Sequence, residues 1–200
     1  TLAPAELPLD ELIRACQQEP QNRAAFTELI RRHQSQVDRL LNHLAPDWAD
    51  RADLAQEAWI RAYRYLPKLQ DPGSFRSWLS RIVTNLFYDE LRRRRRQPAP
   101  LSLDAPLQFD GDEFDWEVAA PLPSPDDVYD REAFYEQLRQ AIATLPDSFR
   151  TTIVLREIEG LAYEEIAEIT GVSLGTVKSR IARARLRLQQ LLSTTDPSLS

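Results

Sequence analysis

The sequence has few of the side chains that bind metal ions or form covalent cross-links. It contains one cysteine, Cys16, and two histidines, His33 and His43. A single cysteine excludes an internal disulfide and fits a reducing compartment. A zinc site of the usual Cys/His type needs more ligands than these residues supply. We therefore expect no cofactor and no structural metal.

Long apolar runs are also missing. No uninterrupted apolar stretch reaches the length of about 18 residues that a membrane-spanning helix requires, so we expect no membrane insertion. Residues 1–20 include four acidic residues and lack the continuous apolar segment of a secretory signal. These absences favour a cytoplasmic protein, and a length of 200 residues is typical of one or two domains.

The net charge of −6 argues at first against nucleic-acid binding, but the acidic residues are concentrated in one segment. Residues 98–130 contain nine acidic residues, no basic residue and six of the fourteen prolines. Residues 1–97 have a net charge of +3, and residues 131–200 have a net charge of 0. Because proline and like-charge repulsion disfavour helices and strands, residues 98–130 are predicted to be an extended linker.

Four helices are predicted between residues 8 and 96, with breaks at residues 19–20, 45–46 and 71–73. No segment alternates apolar and polar residues over the length of a strand, so the pattern favours an all-α fold. The helix at about residues 53–66 places acidic, amide and apolar side chains on one face. This face is either an ordinary solvated surface or a partner-binding surface, and it comprises Asp53, Gln56, Glu57, Ile60 and Arg64.

The helix predicted at residues 75–96 has two different faces. Apolar residues recur at three- and four-residue spacing on one face and predict a core-facing stripe. The opposite face suits single-stranded nucleic acid, because bases stack on aromatic rings and arginines bind phosphates. The helix ends in five adjacent arginines at residues 92–96, for which phosphate binding is favoured over a solvated charge run. The candidate single-strand-binding residues are Arg81, Thr84, Asn85, Tyr88 and Arg92.

The C-terminal part contains a helix-turn-helix pattern at residues 163–190, after predicted helices at about residues 131–144 and 147–157. Gly171 suits a left-handed turn position, and Ser173 can cap the helix that follows. That helix has an apolar stripe opposite a pole of small residues with basic residues on both sides, which fits a DNA major groove. The candidate duplex-binding residues are Gly175, Thr176, Lys178, Ser179, Arg180 and Arg183.

Three segments together carry a family resemblance: DLAQEAWIRAY at residues 53–63, FRSWLSRIVTN at 75–85 and GTVKSRIARAR at 175–185. In this order and at these separations they resemble the extracytoplasmic-function (ECF, group IV) sigma factors of bacterial RNA polymerase. The resemblance implies an all-α protein with two small helical domains. These would be sigma region 2 at residues 10–97 and sigma region 4 at residues 131–192, joined by a region-3.2-like linker at 98–130.

The resemblance also implies a role for each candidate surface. Members of the family bind the clamp helices of the polymerase β′ subunit with the helix that carries Asp53, Gln56, Glu57, Ile60 and Arg64 here. Asn85 matches an asparagine that contacts the −10 element. Lys178, Ser179, Arg180 and Arg183 match recognition-helix positions that contact the −35 element. The polymerase β flap and an anti-sigma factor are further expected partners.

Two interpretations of the linker stay open. A solvated spacer would keep the two domains apart, whereas aromatic residues among the acids favour a segment that docks into a basic channel. In the family the linker passes toward the polymerase active-site cleft, where acidic charge can take the place of RNA. The candidate cleft residues are Asp110, Asp112, Glu113, Phe114, Asp115 and Trp116.

Two other functions account for part of the sequence. A stand-alone helix-turn-helix regulator would explain residues 160–192 but not the aromatic and basic helix at 75–96. A nuclease or primase would need clustered carboxylates, a nucleophile–base pair or a glycine-rich phosphate loop, and the sequence contains no recognisable example of these. The expected function is therefore promoter recognition and opening by a sigma factor that is not an enzyme, with catalysis left to core RNA polymerase.

Overall fold

The computed structural model describes residues 3–19, 22–96 and 128–195. Within these ranges every regular element is helical, which confirms the predicted all-α fold with two helical domains. The elements form an N-terminal unit at residues 3–96 and a C-terminal unit at residues 128–195. Outside the described residues lie the predicted cleft-binding residues of the linker, Asp110, Asp112, Glu113, Phe114, Asp115 and Trp116.

Four α-helices build the N-terminal unit, as the sequence predicts: α1 (Leu9–Gln18), α2 (Arg23–Leu44), α3 (Arg51–Tyr65) and α4 (Phe75–Arg96). Asn22 begins α2 by accepting a hydrogen bond from the Ala25 amide at 3.1 Å. Asp71 accepts from the Gly73 amide at 2.9 Å and so shapes the turn before α4. Short 3-10 turns complete the unit at Pro4–Glu6, Leu66–Lys68 and Pro72–Ser74.

The apolar stripe of α4 packs in the centre of the N-terminal unit, as predicted. Phe75, Leu79 and Val83 expose at most 1% of their surface. Each such side chain contributes roughly 1.5–3 kcal/mol through burial of apolar surface. Polar cross-links orient α2 against α4, because the Gln36 amide nitrogen donates to both the Arg76 carbonyl and the Ser80 hydroxyl at 3.0 Å. The stripe thereby determines which face of α4 points outward.

Four α-helices and one π-helical segment build the C-terminal unit. The predicted helix at residues 147–157 is α-helical only as far as Ile153. Its last turn widens because the Glu159 amide donates to the Val154 carbonyl, five residues back, at 3.1 Å. The elements are α5 (Val128–Thr144), α6 (Asp147–Ile153), the π segment (Val154–Ile158), α7 (Tyr163–Thr170) and α8 (Leu174–Thr195).

The helix-turn-helix prediction is confirmed in its local geometry. Gly171 ends α7 with φ 69° and ψ 28°, the left-handed conformation that the turn requires. The Ser173 hydroxyl accepts from the Thr176 amide at 3.2 Å and so caps α8. Val177 and Ile181 are buried on the inner side of α8, where the predicted stripe places them. The outer side of α8 is therefore free of any role in the core.

The two units pack directly against each other. Helices α2 and α4 of the N-terminal unit contact α5, α6, α7 and the π segment of the C-terminal unit. On α5, Phe134 remains 36% exposed although it shares an apolar spacing with Leu138 and Ile142. The spacing of apolar residues predicts a face of a helix, but it does not predict how far along the helix the packing partner extends.

Replacing Gly171 by alanine should destabilise the C-terminal unit by about 1–2 kcal/mol, because a Cβ disfavours the left-handed conformation. Nothing lies within 4 Å of the added Cβ, so the cost would come from the backbone alone. Gly175→Ala is the matched control, since this glycine lies in α8 without a positive φ. Urea denaturation followed by circular dichroism would measure both variants. Equal stability of the two would contradict the assignment of strain to Gly171.

Candidate nucleic-acid interfaces

The outer side of α8 presents the predicted duplex-binding residues at one surface. Thr176 and Arg180 are half-buried, and the others are exposed. At the N-terminus of α8, the hydroxyl oxygens of Ser173 and Thr176 lie 2.9 Å apart. The first two turns of the helix thus combine exposed small residues, hydroxyl groups and basic side chains. The exposed residues of the predicted set are Gly175, Lys178, Ser179 and Arg183.

One arginine of α8 forms an ion pair within the C-terminal unit. Arg185 pairs with Glu157 of the π segment at 2.5 Å, which orients α8 against the rest of the C-terminal unit. Burial raises the pKa of the Tyr88 hydroxyl of the N-terminal unit, while a hydrogen bond with Thr151 and the charge of Arg180 lower it to a smaller extent. Arg185 thus contributes to the packing of the C-terminal unit, while Lys178 and Arg183 are exposed on the outer side of α8.

The predicted single-strand-binding residues of α4 do not all lie on the exposed face. Arg81, Asn85 and Arg92 are exposed, and Tyr88 is partly buried. Thr84 exposes 0% of its surface, so its placement on an exposed face was wrong. Thr84 lies about 100° from Asn85 around the helix, at the border between core and solvent. Helical spacing does not decide on which side of such a border a residue is buried.

The five arginines at residues 92–96 are largely paired with acidic residues. The sequence contains no acid within the run, but the preceding turn of α4 supplies Asp89 and Glu90. Arg92 pairs with Asp89 at 2.5 Å, and Arg93 pairs with Glu90 at 2.6 Å. The hydrogen bond from Arg93 lowers the pKa of the Glu90 carboxyl below its ordinary value, with a further lowering from Arg94 against the effect of desolvation. Intramolecular partners thus offset much of the repulsion within the run.

Arg94 is the most engaged arginine of this run. Its guanidinium contacts both carboxylate oxygens of Asp50 at 2.6 Å and Glu90 at 2.7 Å. It also lies over the ring of Trp48, 4.1 Å from the ring centroid, a cation–π geometry. Arg94 therefore connects the end of α4 to the segment that precedes α3. For Arg96 the described part of the chain shows no such ion pair.

The predicted partner-binding face of α3 is open to solvent. Asp53, Gln56 and Arg64 are exposed, and Ile60 exposes 45% of its surface. Glu57 is half-buried because it pairs with Arg61 at 3.0 Å, and Arg61 also reaches Asp89 of α4 at 3.3 Å. The opposite side of α3 holds Ala58 and Ala62 against the core. A large apolar side chain surrounded by polar ones on an exposed face is typical of a protein interface.

No group of three His, Cys, Asp or Glu side chains in the described ranges is arranged to hold a metal ion. Cys16 is buried beside a cavity of about 190 Å³, and desolvation raises the pKa of its thiol to about 11. The thiol therefore stays protonated at neutral pH and is a poor nucleophile. None of the described helices is long and apolar enough to span a membrane.

Sequence reasoning missed the residues that join the two units. Glu159 of the loop after the π segment is 1% exposed and faces Arg39 and Arg76 of the N-terminal unit. An isolated glutamate before a glycine is a common loop pattern, and nothing in it signals burial. Only the packing of α2 and α4 against the C-terminal unit encloses this carboxylate.

Comparison with known proteins agrees with this architecture. The family model for Sigma-70 region 2 matches residues 29–97, and the model for Sigma-70, region 4 matches residues 135–188. The chain is 41% identical over 170 residues to the ECF RNA polymerase sigma factor SigE of Mycolicibacterium smegmatis, an alignment that covers 84% of this chain and 62% of that protein. It is 36% identical over 162 residues to the ECF RNA polymerase sigma-E factor of Escherichia coli K12, covering 80% and 83%.

Two solved structures share the fold. One is CnrH in complex with the cytosolic domain of CnrY, with a TM-score of 0.64 and 24% identity over 94% of this chain and 99% of that one. The other is the sigma factor RpoE in complex with the anti-sigma factor NepR from Bartonella quintana, with a TM-score of 0.62 and 24% identity over 84% and 96%.

The two sigma regions define the class of protein: a promoter-recognising factor that initiates transcription with RNA polymerase and leaves catalysis to that enzyme. Within this class, the chain belongs to the extracytoplasmic-function sigma factors.

Replacing Arg94 by alanine should lower the free energy of unfolding by about 1–2 kcal/mol, because the variant loses ion pairs and a cation–π contact that are partly screened by solvent. Arg96→Ala is the charge-matched control and should change stability by less than about 0.5 kcal/mol. Thermal unfolding at two salt concentrations would measure the difference. If both variants were equally stable, the arginine run would be a solvated surface without a structural role.

Proposed function

We propose that this sigma factor uses three separate surfaces, one for core polymerase, one for duplex promoter DNA and one for the melted strand. The proposal rests on one observation: all three surfaces are exposed on the same chain. The outer side of α8, the Arg81–Asn85 side of α4 and the Ile60 face of α3 are free of core packing. A stand-alone DNA-binding regulator would need only the first of these surfaces.

The α8 surface suits the −35 element. Gly175 and Ser179 are small and exposed, so the helix can approach base edges closely. Lys178 and Arg183 flank them, and basic side chains at this position reach bases or phosphates. Thr176 and Arg180, both half-buried, complete the proposed surface.

The α4 surface suits the −10 element once the strands separate. Asn85 is exposed and can form paired hydrogen bonds with the edge of an unstacked base. Arg81 and Arg92 lie on the same side and can bind the phosphates of that strand. Tyr88 can stack on a base when its ring is uncovered. Thr84 is excluded from this surface by its burial.

The α3 face suits a helical partner such as the clamp helices of the β′ subunit. Ile60 supplies an apolar contact, while Asp53, Gln56, Glu57 and Arg64 supply polar contacts around it. The β flap is the second proposed contact on polymerase. Both partners act in the cytoplasm, which we propose as the location of the protein.

We also propose a role for the linker and for an anti-sigma factor. Residues 98–130 carry nine acids and aromatic side chains, and we place them in the positively charged cleft of polymerase, through Asp110, Asp112, Glu113, Phe114, Asp115 and Trp116. An anti-sigma factor is a further proposed partner, because the RpoE structure of similar fold contains one.

Transcription with core polymerase over a library of promoter sequences tests the function directly. We expect selection of two sequence elements, and Lys178→Ala should reduce −35-dependent transcription roughly 5- to 100-fold by loss of one base or phosphate contact. Arg187→Ala removes the same charge farther along α8 and should have little effect. Transcription that does not depend on added core enzyme, or no selected elements, would refute the proposal.

Asn85→Ala should impair promoter opening more than closed-complex formation, because the side chain is proposed to contact only the separated strand. We expect open complexes, measured by permanganate reactivity of unpaired thymines, to fall about 5- to 100-fold. Asn42→Ala is the matched control, since Asn42 is an exposed asparagine on α2 of the same unit. Unchanged opening by the Asn85 variant would remove this residue from the −10 surface.

A further inference from the structure

We propose that Glu157 is a positioning residue that keeps Arg185 of α8 away from the phosphates of duplex DNA, and so limits the affinity of the protein for duplexes of any sequence. This role rests on the proposed function of α8 as the duplex-binding helix. Glu157 and Arg185 belong to none of the three proposed binding surfaces.

Arg185 lies where a phosphate-binding cation is expected. It is exposed, and it follows the exposed Lys178 by seven residues on α8. Seven residues make almost two full helical turns, so the two side chains share one flank of the outer side, about 10 Å apart along the helix axis. Basic side chains beside an outer face of small residues can reach phosphates. By position alone, Arg185 would therefore add a phosphate contact to that of Lys178.

The guanidinium of Arg185 is instead bound to an acid of its own unit. Its Nη2 and Nε atoms donate to the same carboxylate oxygen of Glu157, at 2.5 Å and 3.2 Å. Hydrogen bonds between charged groups are stronger than those between neutral groups. Two of the three guanidinium nitrogens are thus engaged within the protein, and the pair as a whole carries no net charge.

The surrounding contacts hold Glu157 in place beside α8. Leu155 of the same π segment is fully buried. Arg156 donates to the Leu161 carbonyl at 2.8 Å, and its guanidinium lies 4.7 Å from the ring centroid of Tyr163. These contacts restrain the backbone that carries Glu157. An exposed ion pair is weak partly because both side chains lose conformational freedom, and a restrained backbone reduces this loss.

Separation of the pair beside DNA would be unfavourable. If Arg185 left Glu157 to bind a phosphate, the carboxylate would remain unpaired next to a polyanion. The two negative groups would repel each other, and this repulsion would offset part of the attraction gained by the arginine. The intact pair is neutral and adds neither term. The pair therefore stays formed on the duplex, and on this flank of α8 Lys178 binds the phosphates without Arg185.

Replacing Glu157 by glutamine removes the carboxylate charge and releases Arg185 to bind DNA. The full chain would be titrated onto a fluorescein-labelled, mixed-sequence duplex, because phosphate contacts do not depend on sequence. Fluorescence anisotropy over a range of salt concentrations measures the affinity. We expect Glu157→Gln to bind about 3- to 10-fold more tightly at about 50 mM salt. The slope of log K against log salt should become steeper by about 0.9, the contribution of one phosphate contact.

Glu136→Gln is the matched control. Glu136 pairs with Arg139 of the same helix, α5, at 2.6 Å, and the side chains of both ion pairs are 44–49% exposed. This variant therefore releases an arginine and changes the net charge by the same amount, but outside α8. It should leave the slope unchanged. An equal gain in affinity and slope by both variants would overturn the proposal, since the effect would then come from net charge alone.

The double variant Glu157→Gln, Arg185→Ala distinguishes a withheld arginine from one that already binds DNA. It replaces a neutral pair by two neutral side chains, so it should bind with the affinity and slope of the unchanged chain. Weaker binding with a shallower slope would show that Arg185 contacts phosphate in the unchanged chain and would overturn the proposal. Equal affinity of Glu157→Gln and the unchanged chain would also overturn it. Misfolding does not produce the expected gain, because it would lower the affinity.

Lys178→Ala in the same titration tests the proposed function of α8 separately. Loss of its contact should weaken binding and make the slope shallower by about 0.9. If Lys178→Ala binds like the unchanged chain, the proposed duplex surface itself is wrong. If Lys178→Ala weakens binding while Glu157→Gln has no effect, the duplex surface stands and only the role of Glu157 is refuted.

Discussion

Helix α4 buries one side in the core of the N-terminal unit and exposes the other, and the orientation of the side chains around it depends on this division. Phe75, Leu79 and Val83 fix the rotation of the helix, because each is almost fully buried. That rotation places Arg81 and Asn85 outward and brings Tyr88 toward the C-terminal unit. A loss of the apolar stripe would therefore cost both stability and the geometry of the outer face.

Most of the positive charge at the end of α4 is compensated by acidic residues of the same unit. Acidic residues from the preceding turn and from the segment before α3 pair with Arg92, Arg93 and Arg94, so the arginine run does not form an uncompensated positive patch. A free run of five arginines would bind any polyanion with little selectivity. Partial neutralisation by these acids therefore weakens such unselective binding.

Much of the fold could be predicted from the sequence, since apolar periodicity, Gly171 and Ser173 each act within a few residues. The exposed residues of α3 and α8 could also be predicted, because the apolar spacing that marks the inner side of a helix also marks its outer side. Thr84 and Glu159 could not be predicted. Their burial depends on residues far away in the chain, and local spacing carries no information about which border residues a second unit will cover. The pairing of Arg94 with Asp50 could not be predicted either, because the two residues lie far apart in the chain.

The contact between the units includes a buried charged group, and this affects what a separation of the units would cost. An apolar interface of similar extent would gain stability from every buried methyl group and would leave a hydrophobic patch exposed after opening. Glu159, Arg39 and Arg76 instead lose little on separation, because water replaces each partner. The desolvation of the buried carboxylate opposes the attraction of the two arginines, so these ion pairs are weak evidence for a stable contact between the units.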